Sequence, residues 1–329
     1  MSVTIQQIAV KAGVSKATVS RVLNGLAVKY ETEQRVKGIM EKMQYRPHRF
    51  ARGLAASHKT GFLGVVTPSL NPYVASVIMG MEEEARRNGK LLTLATFPIG
   101  TIEEREIIRT MTEPPVVDGL LFFLPSVQME GLIRTLMQRK FPMVVASERR
   151  FENMLPAVII DNVNGGKQAV EYLIQKGHKR IGFITGRTDM TDSADRQEGY
   201  RQALTEAGIP FDASLIQPGN YDIQSGKDAA EKFLEMPHPP TAIFAANDGM
   251  AVGVLKALQQ KKKEGAFAVI GFDDIEMGAF VTPSLTTMGY DLHELGKQAV
   301  HKLMRQILGE EKVHSTLQLK AHLVPRDSA

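Results

Sequence analysis

Residues 4–24 read TIQQIAVKAGVSKATVSRVLN, and their spacing decides how the chain begins. Ile5, Ile8, Ala9 and Ala12 fall at i, i+3, i+4 and i+7, one apolar stripe on a short helix. Gly13 ends that helix where the chain needs a positive φ, and Val14 can pack back onto the stripe. Ser15 is a good N-cap for a second helix, in which Val19, Val22 and Leu23 face inward. Lys16, Ala17, Thr18 and Arg21 are left facing outward near its start. Two short helices joined by a glycine-containing turn, with a polar and basic face on the second, describe a helix-turn-helix. In that motif the start of the second helix meets base edges in the major groove. The same spacing also fits an ordinary helical hairpin on a protein surface.

Charge favours the first of these. The net charge of the chain is +4, but residues 1–60 carry eleven Lys and Arg against Glu31, Glu33 and Glu41, about +8, which leaves the rest near −4. A basic head on a mildly acidic body points to a polyanionic partner for the head alone. The 329 residues are enough for a small module and a two-lobed core. With 43% hydrophobic and 23% charged residues the composition is that of a soluble globular protein. No apolar run approaches the ~18 residues of a membrane span, the first twenty residues lack the order of a signal peptide, and the absence of cysteine excludes disulfides and thiolate metal sites. A cytoplasmic protein without membrane contact is the expectation.

Taken in order, residues 1–47 read as a three-helix headpiece. Its third helix starts near Glu31 to Glu33, where acids suit the positive helix end, with Val36, Ile39, Met40 and Met43 as its stripe. Residues 48–58, HRFARGLAASH, are basic and end in small residues. From Thr60 short β runs alternate with helical segments of 10–15 residues. The strand candidates are 62–67, 91–96, 119–123, 143–146, 157–160, 180–185, 242–245, 268–271 and 284–287. Helices such as 73–88, 166–176, 194–207, 224–235 and 249–260 lie between them. Alternation of this kind implies parallel sheets covered on both faces, and its length implies two lobes.

Catalytic constellations are missing. Asp273 and Asp274 are adjacent, and adjacent residues on an extended segment point apart. The eight histidines show no metal-ligand spacing. Gly-x-Ser-x-Gly, Walker A and GxGxxG do not occur. No enzyme activity, cofactor or metal is expected.

AGVSKATVSRVLNG (12–25) followed by YRPHRFARGLAA (45–56) resembles the LacI/GalR family of bacterial transcription regulators. So do GFLGVVTPSLNPY (61–73), VIIDNVNGG (158–166), GHKRIGFITG (177–186), DRQEGYRQAL (195–204), AIFAANDGMAVGVLKAL (242–258), VIGFDDIEMG (269–278) and PSLTTMGYD (283–291), in family order and spacing. The resemblance implies an α/β fold: an N-terminal helix-turn-helix headpiece and a two-lobed, periplasmic-binding-protein-like core of doubly wound parallel sheets. The implied domains are the headpiece (1–47), a hinge helix or linker (48–58) and an effector-binding and dimerisation core (59–329). Within that core the N-lobe takes about 60–160 and 291–320, and the C-lobe about 161–290 and 321–329. DNA contacts would come from Thr4, Ser15, Lys16, Ala17, Thr18, Arg21 and Asn24. In the hinge, Leu54 occupies the leucine position that enters the minor groove and Ala51 a position along its floor; Gly53 departs from the pattern and makes hinge folding costlier.

The effector would lie at the strand carboxyl ends, where open α/β sheets bind ligands. Arg196 opens the helix containing Gly199 and Tyr200, and a guanidinium can fork onto neighbouring hydroxyls or a carboxylate. Asp273 would accept from further hydroxyls, and Asn247 takes the place of a cleft asparagine. Tyr73, Tyr221 and Tyr290 fall at cleft-facing positions, joined by Ser147 and Asp161. Each has a plainer reading: an ion pair of Arg196 with Asp192 or Asp195, turn capping by Asp273, helix capping by Asn247, packing for the tyrosines. The implied protein is a homodimeric, cytoplasmic, nucleoid-associated repressor. It would bind near-palindromic double-stranded operator DNA under control of a small-molecule effector, a sugar or sugar derivative. A phosphocarrier protein acting on the N-lobe is the alternative controller; a sugar-binding protein without a DNA role is a third reading.

Overall fold

The computed structural model describes residues 3–23, 26–45, 60–97, 102–125, 127–310 and 315–329. They form two compact units, one of the residues up to 62 with 110–118, the other of 63–109 and 119–329.

The first unit opens with α1 (Ile5–Ala12), α2 (Lys16–Leu23) and α3 (Tyr30–Lys42). Thr4 and Gln7 form a capping box at the start of α1, and Gly13 closes it with φ 63° and ψ 37°. The amide of Val14 then returns to the carbonyl of Ala9 at 3.0 Å, so Val14 packs on the stripe. Ile8, Ala9, Ala12, Val19, Val22 and Val36 are the buried centre, with Ile39, Met40 and Met43 around it. Glu31 and Glu33 lie in the first turn of α3, at its positive end.

The second unit holds two six-stranded sheets. Its elements are β1 (Phe62–Thr67), α4 (Pro72–Arg87), β2 (Leu91–Thr96), α5 (Ile102–Thr112), β3 (Leu120–Phe123), α6 (Glu130–Gln138), β4 (Met143–Ala146), β5 (Ala157–Ile160), α7 (Asn162–Gln175), β6 (Ile181–Ile184) and α8 (Thr191–Glu206). There follow β7 (Ile216–Gln217), α9 (Ile223–Leu234), β8 (Ala242–Ala245), α10 (Asp248–Lys261), β9 (Ala268–Asp273), α11 (Glu276–Phe280), β10 (Thr286–Gly289), α12 (Leu292–Ile307), β11 (Thr316–Leu319) and β12 (His322–Val324). Elements β1 and α5 have residues in both units. The strand orders are β11-β5-β4-β3-β1-β2 and β12-β10-β9-β8-β6-β7. Every pairing with a defined register is parallel except β12 on β10. The chain leaves the first sheet after Ile160, returns after Gly289, and crosses once more between Leu319 and His322. That last crossing takes two residues, too few for a covering helix, and the strand it delivers is the antiparallel one.

Central strands β3, β4, β5, β6 and β8 are buried at every position, as expected of parallel strands covered on both faces. Helices cover them in close pairs. An added Cβ on Gly80 would collide with the carbonyl of His293, and one on Gly296 with that of Val77, where α4 crosses α12. Gly166 and Gly199 stand in the same relation between α7 and α8, and Gly226 and Gly253 between α9 and α10. Glycine here admits backbone to backbone contact.

Several boundaries differ from the sequence reading. Helix α7 starts at Asn162, not Gly166, because Asp161 caps it through the amide of Asn164 at 3.3 Å and packing against α8 offsets the low propensity of Gly165 and Gly166. Helix α8 starts at Thr191, which puts Arg196 in its second turn and not at its opening. Strand β9 runs on to Asp273. Strand β10 begins at Thr286, since the carbonyl of Ser284 is taken by the amides of Asp327 and Ser328.

Candidate functional site

In the first unit, α2 presents Lys16, Ala17 and Arg21 exposed. Thr18 is half-buried; its amide donates to Ser15 Oγ at 3.1 Å and the two hydroxyls lie 2.9 Å apart. Ser15 is therefore the cap of α2, and Thr4 the cap of α1. The expected contacts Asn24, Ala51 and Leu54, with the whole segment 48–58, lie outside the described residues.

In the second unit a cavity of about 460 Å³ opens at the carboxyl ends of the strands. Tyr73, Arg196, Tyr221, Asn247 and Asp273 line it, as do Arg187, Asp192 and Asp222. Tyr73 comes from α4 on the first sheet; the other seven come from elements around the second. Ser147 and Tyr290 join this group through hydrogen bonds. Ser147 Oγ lies 2.9 Å from Tyr73 Oη, Tyr290 Oη lies 3.1 Å from Tyr73 Oη, and the Tyr290 hydroxyl donates to Asp273 Oδ1 at 3.0 Å. Asp273 Oδ1 accepts in turn from Arg196 Nη2 at 3.3 Å. One polar chain thus runs from the end of β4 to the second turn of α8. Asp161 does not join it: its side chain is spent as the cap of α7. Asn247 has both roles open to it, since it lines the cavity while its Oδ1 accepts the amide of Met250 at 2.9 Å to cap α10.

Arg196 is 2% exposed, so it is no surface ion pair. Its guanidinium lies 3.8 Å from the centre of the Phe272 ring. Nε donates to Asn162 Oδ1 at 2.9 Å, Nη1 donates to the carbonyl of Ala246, and Nη2 faces Asp273 and also Asp192, at 3.8 Å. Burial alone would lower its pKa; the carboxylates of Asp273 and Asp192 outweigh that and hold it above the ordinary value. Burial pushes Asp273 up to about 6 against the pull of Arg196 and the Tyr290 hydroxyl. Burial likewise raises the pKa of Tyr73, Tyr221 and Tyr290, all of which remain hydroxyl donors. Tyr221 Oη donates to Asp192 Oδ1 at 2.7 Å.

Asp273 and Asp274 both hold positive φ, 106° and 53°, a costly backbone for non-glycine residues. Their carboxylates point apart, Asp274 Oδ1 meeting Arg326 Nη2 at 2.7 Å. The bend is braced by Asp248, fully buried, whose carboxylate accepts the amide of Ile275 at 2.9 Å and the hydroxyl of Thr287. Burial raises the Asp248 pKa above its ordinary value.

A second set of polar contacts joins the two sheets at the rim. Arg149 grips Asp195 with Nε and Nη2, at 2.9 and 2.6 Å. Glu148 accepts from the hydroxyl of Thr191 at 2.5 Å and from its amide at 3.3 Å, at the start of α8. Arg150 donates to the carbonyl of Asp189 at 3.1 Å. Burial raises the pKa of Glu148.

Sequence reasoning missed Asn162, Asp248, Phe272 and Glu148 as parts of this site, and had Asp192 only as an ion-pair partner for a surface Arg196. An Asp after an N-cap reads as a surface residue complementing the helix dipole, and a Glu-Arg-Arg run reads as solvated charge. Only the fold buries them. Among the described residues no His, Asp and Glu cluster could hold a metal ion, and no helix is long and apolar enough to cross a membrane.

Comparison with known proteins adds the following. Residues 4–48 match the bacterial regulatory proteins of the lacI family, and residues 170–329 match a periplasmic binding protein-like domain. The catabolite control protein A of Priestia megaterium is 35% identical over 329 residues, covering 98% of each chain. The ribose operon repressor of Escherichia coli K12 is 34% identical over 333 residues, covering 99% of each. The crystal structure of the lac repressor dimer bound to operator and the anti-inducer ONPF superposes with a TM-score of 0.86 at 25% identity, over 100% of this chain and 99% of that one.

Proposed function

The chain belongs to the LacI family of bacterial regulatory proteins, and on that premise we propose that it is a cytoplasmic, homodimeric repressor whose operator affinity is set by a small polyhydroxylated effector in the cleft between its lobes. It is a DNA-binding regulator and not an enzyme. The headpiece would be 1–47, the hinge 48–58 and the core 59–329, with an N-lobe of about 60–160 and 291–320 and a C-lobe of about 161–290 and 321–329. Arg196, Asp273, Tyr73, Tyr221, Tyr290, Asn247 and Ser147 form the effector site in this reading. Asp161 keeps the role of a helix cap. Lobe closure would change the spacing of the two hinges and so the fit of two headpieces to DNA, a coupling of about 1–3 kcal/mol.

The observation that carries the DNA reading is the exposed, basic start of α2, with Lys16, Ala17 and Arg21 free of the headpiece core. Selection from random duplexes should return a near-palindrome, since a two-fold dimer presents two recognition helices. Arg21→Ala should weaken binding to it by about 1–3 kcal/mol and relax one base position. Uniform weakening on every sequence would reassign Arg21 to a phosphate. A second reading keeps the DNA binding and makes the controller a phosphocarrier protein on the N-lobe. That reading requires operator affinity to respond to the phosphocarrier while no sugar binds the core by calorimetry.

A further inference from the structure

Among the described residues, both cations that line the cleft, Arg187 and Arg196, are already engaged. Arg187 forks onto Asp189 at 2.9 and 2.7 Å, and Arg196 is spent on Asn162, Ala246, Asp273 and Asp192. Three carboxylates line the same cavity, Asp192, Asp222 and Asp273, so its lining charge is negative. Two of the helix N-termini at the cavity, those of α8 and α9, could hold an anion but carry carboxylates of their own; that of α4, capped by Asn71, has no acid in its first turn. Asp222 caps α9, accepting the amide of Ser225 at 2.7 Å; Asp192 lies in the first turn of α8 and accepts the amide of Ser193 at 2.7 Å. Meanwhile Oδ2 of Asp273, on a residue 5% exposed, accepts no hydrogen bond from the described residues. A buried acceptor without a donor is costly, and a ligand donor relieves it.

We infer that the cleft takes an uncharged, hydroxyl-rich ligand and turns away the phosphorylated and carboxylated forms of the same ligand. Hydroxyl hydrogens satisfy Asp273 and its neighbours. A phosphate or carboxylate in the same place adds its charge to a lining of three carboxylates and two guanidiniums, where the low dielectric of the cleft magnifies repulsion, and both guanidiniums are already paired with carboxylates. This selectivity rests on the effector reading above and sharpens it; it sets aside the carboxylate partner that the sequence left open for Arg196.

The test is calorimetry on the full-length protein with matched pairs of probes: ribose and ribose 5-phosphate, glucose and glucose 6-phosphate, glucose and glucuronate, cellobiose and cellobionate. At least one neutral member should bind, and at least tenfold more tightly than its anionic counterpart. Asp192→Asn should narrow that gap. An anionic member that binds as tightly as its neutral partner, or more so, overturns the charge selectivity and leaves the effector reading standing. If no member of any pair binds, both fall together.

Discussion

Arg196 shows how burial changes the meaning of one side chain. A surface ion pair would contribute at most about 1 kcal/mol. Here the guanidinium is enclosed, and its removal strands Asp273 and Asp192 around an empty space. Arg196→Ala should therefore lower the unfolding free energy by about 3–5 kcal/mol, read from denaturant titration. Adding Asp273→Asn to that variant should recover part of the loss; a loss below about 1 kcal/mol would mean the cluster is not held as described. Asp273 itself gives a pH dependence. Its folded pKa of about 6 lies above the unfolded value, so the folded state binds the extra proton between roughly pH 4 and 6. Its contribution to stability is thus most favourable at low pH and is lost as pH rises through 6. In the proposed site ligand binding runs the other way, because hydroxyl donors would need the ionised carboxylate. Effector affinity should fall about tenfold per pH unit below 6, and calorimetry should register proton release on binding near that pH. A flat profile from pH 5 to 8 would remove Asp273 from the ligand contacts.

Among the elements, the paired glycines set where helices lie. Gly166→Ala would drive a methyl group into the carbonyl of Arg196, so α8 must move and carry Arg196 with it. A cost of about 1–3 kcal/mol follows from overpacking of this kind, and effector affinity should fall in the same variant. Gly38→Ala in α3 is the control: nothing lies within 4 Å of the added carbon, and the headpiece should gain about 0.5–1 kcal/mol from helix propensity. A stable Gly166→Ala variant with normal ligand affinity would show that α7 and α8 tolerate separation. The elements also show what the sequence could carry. The central strands were legible because they are unbroken apolar runs. Strand β7 has two residues, β11 alternates exposed with half-buried positions, and β12 is three residues with an exposed His322. Edge strands of that kind have neither the length nor the apolar content to stand out from loops. Arg196, Asp273 and the tyrosines were legible through family resemblance. Their mutual distances were not, since they come from α4, the ends of β9 and β10, α8 and the segment before α9.

For the whole molecule, the rim contacts between the sheets bear on closure. The Arg149 side chain is 51% exposed, so its pair with Asp195 is screened by solvent and contributes no more than about 1 kcal/mol. That is still enough to shift the balance between open and closed lobes that the proposed mechanism requires. Arg149→Ala should weaken effector binding by up to about fivefold while leaving the unfolding transition nearly unchanged. Because coupling is reciprocal, the difference in operator affinity with and without effector should change by the factor that appears in effector affinity measured with and without operator. Anisotropy with labelled duplex and calorimetry on the same variant give the two factors; unequal values would mean that closure is not what connects the sites.

The double crossing at the end of the chain has a consequence for biosynthesis. Strand β11 completes the edge of the first sheet and β12, two residues later, the edge of the second. A nascent chain that has exposed everything up to residue 310 holds ten of the twelve strands yet can finish neither sheet. The outer sides of β5 and β10 stay open, with unpaired amides and carbonyls that invite other chains, until residues 316–324 have left the ribosome. The late strands then cover β5 and β10 almost at once, and replace those buried edges with the partly exposed β11 and β12.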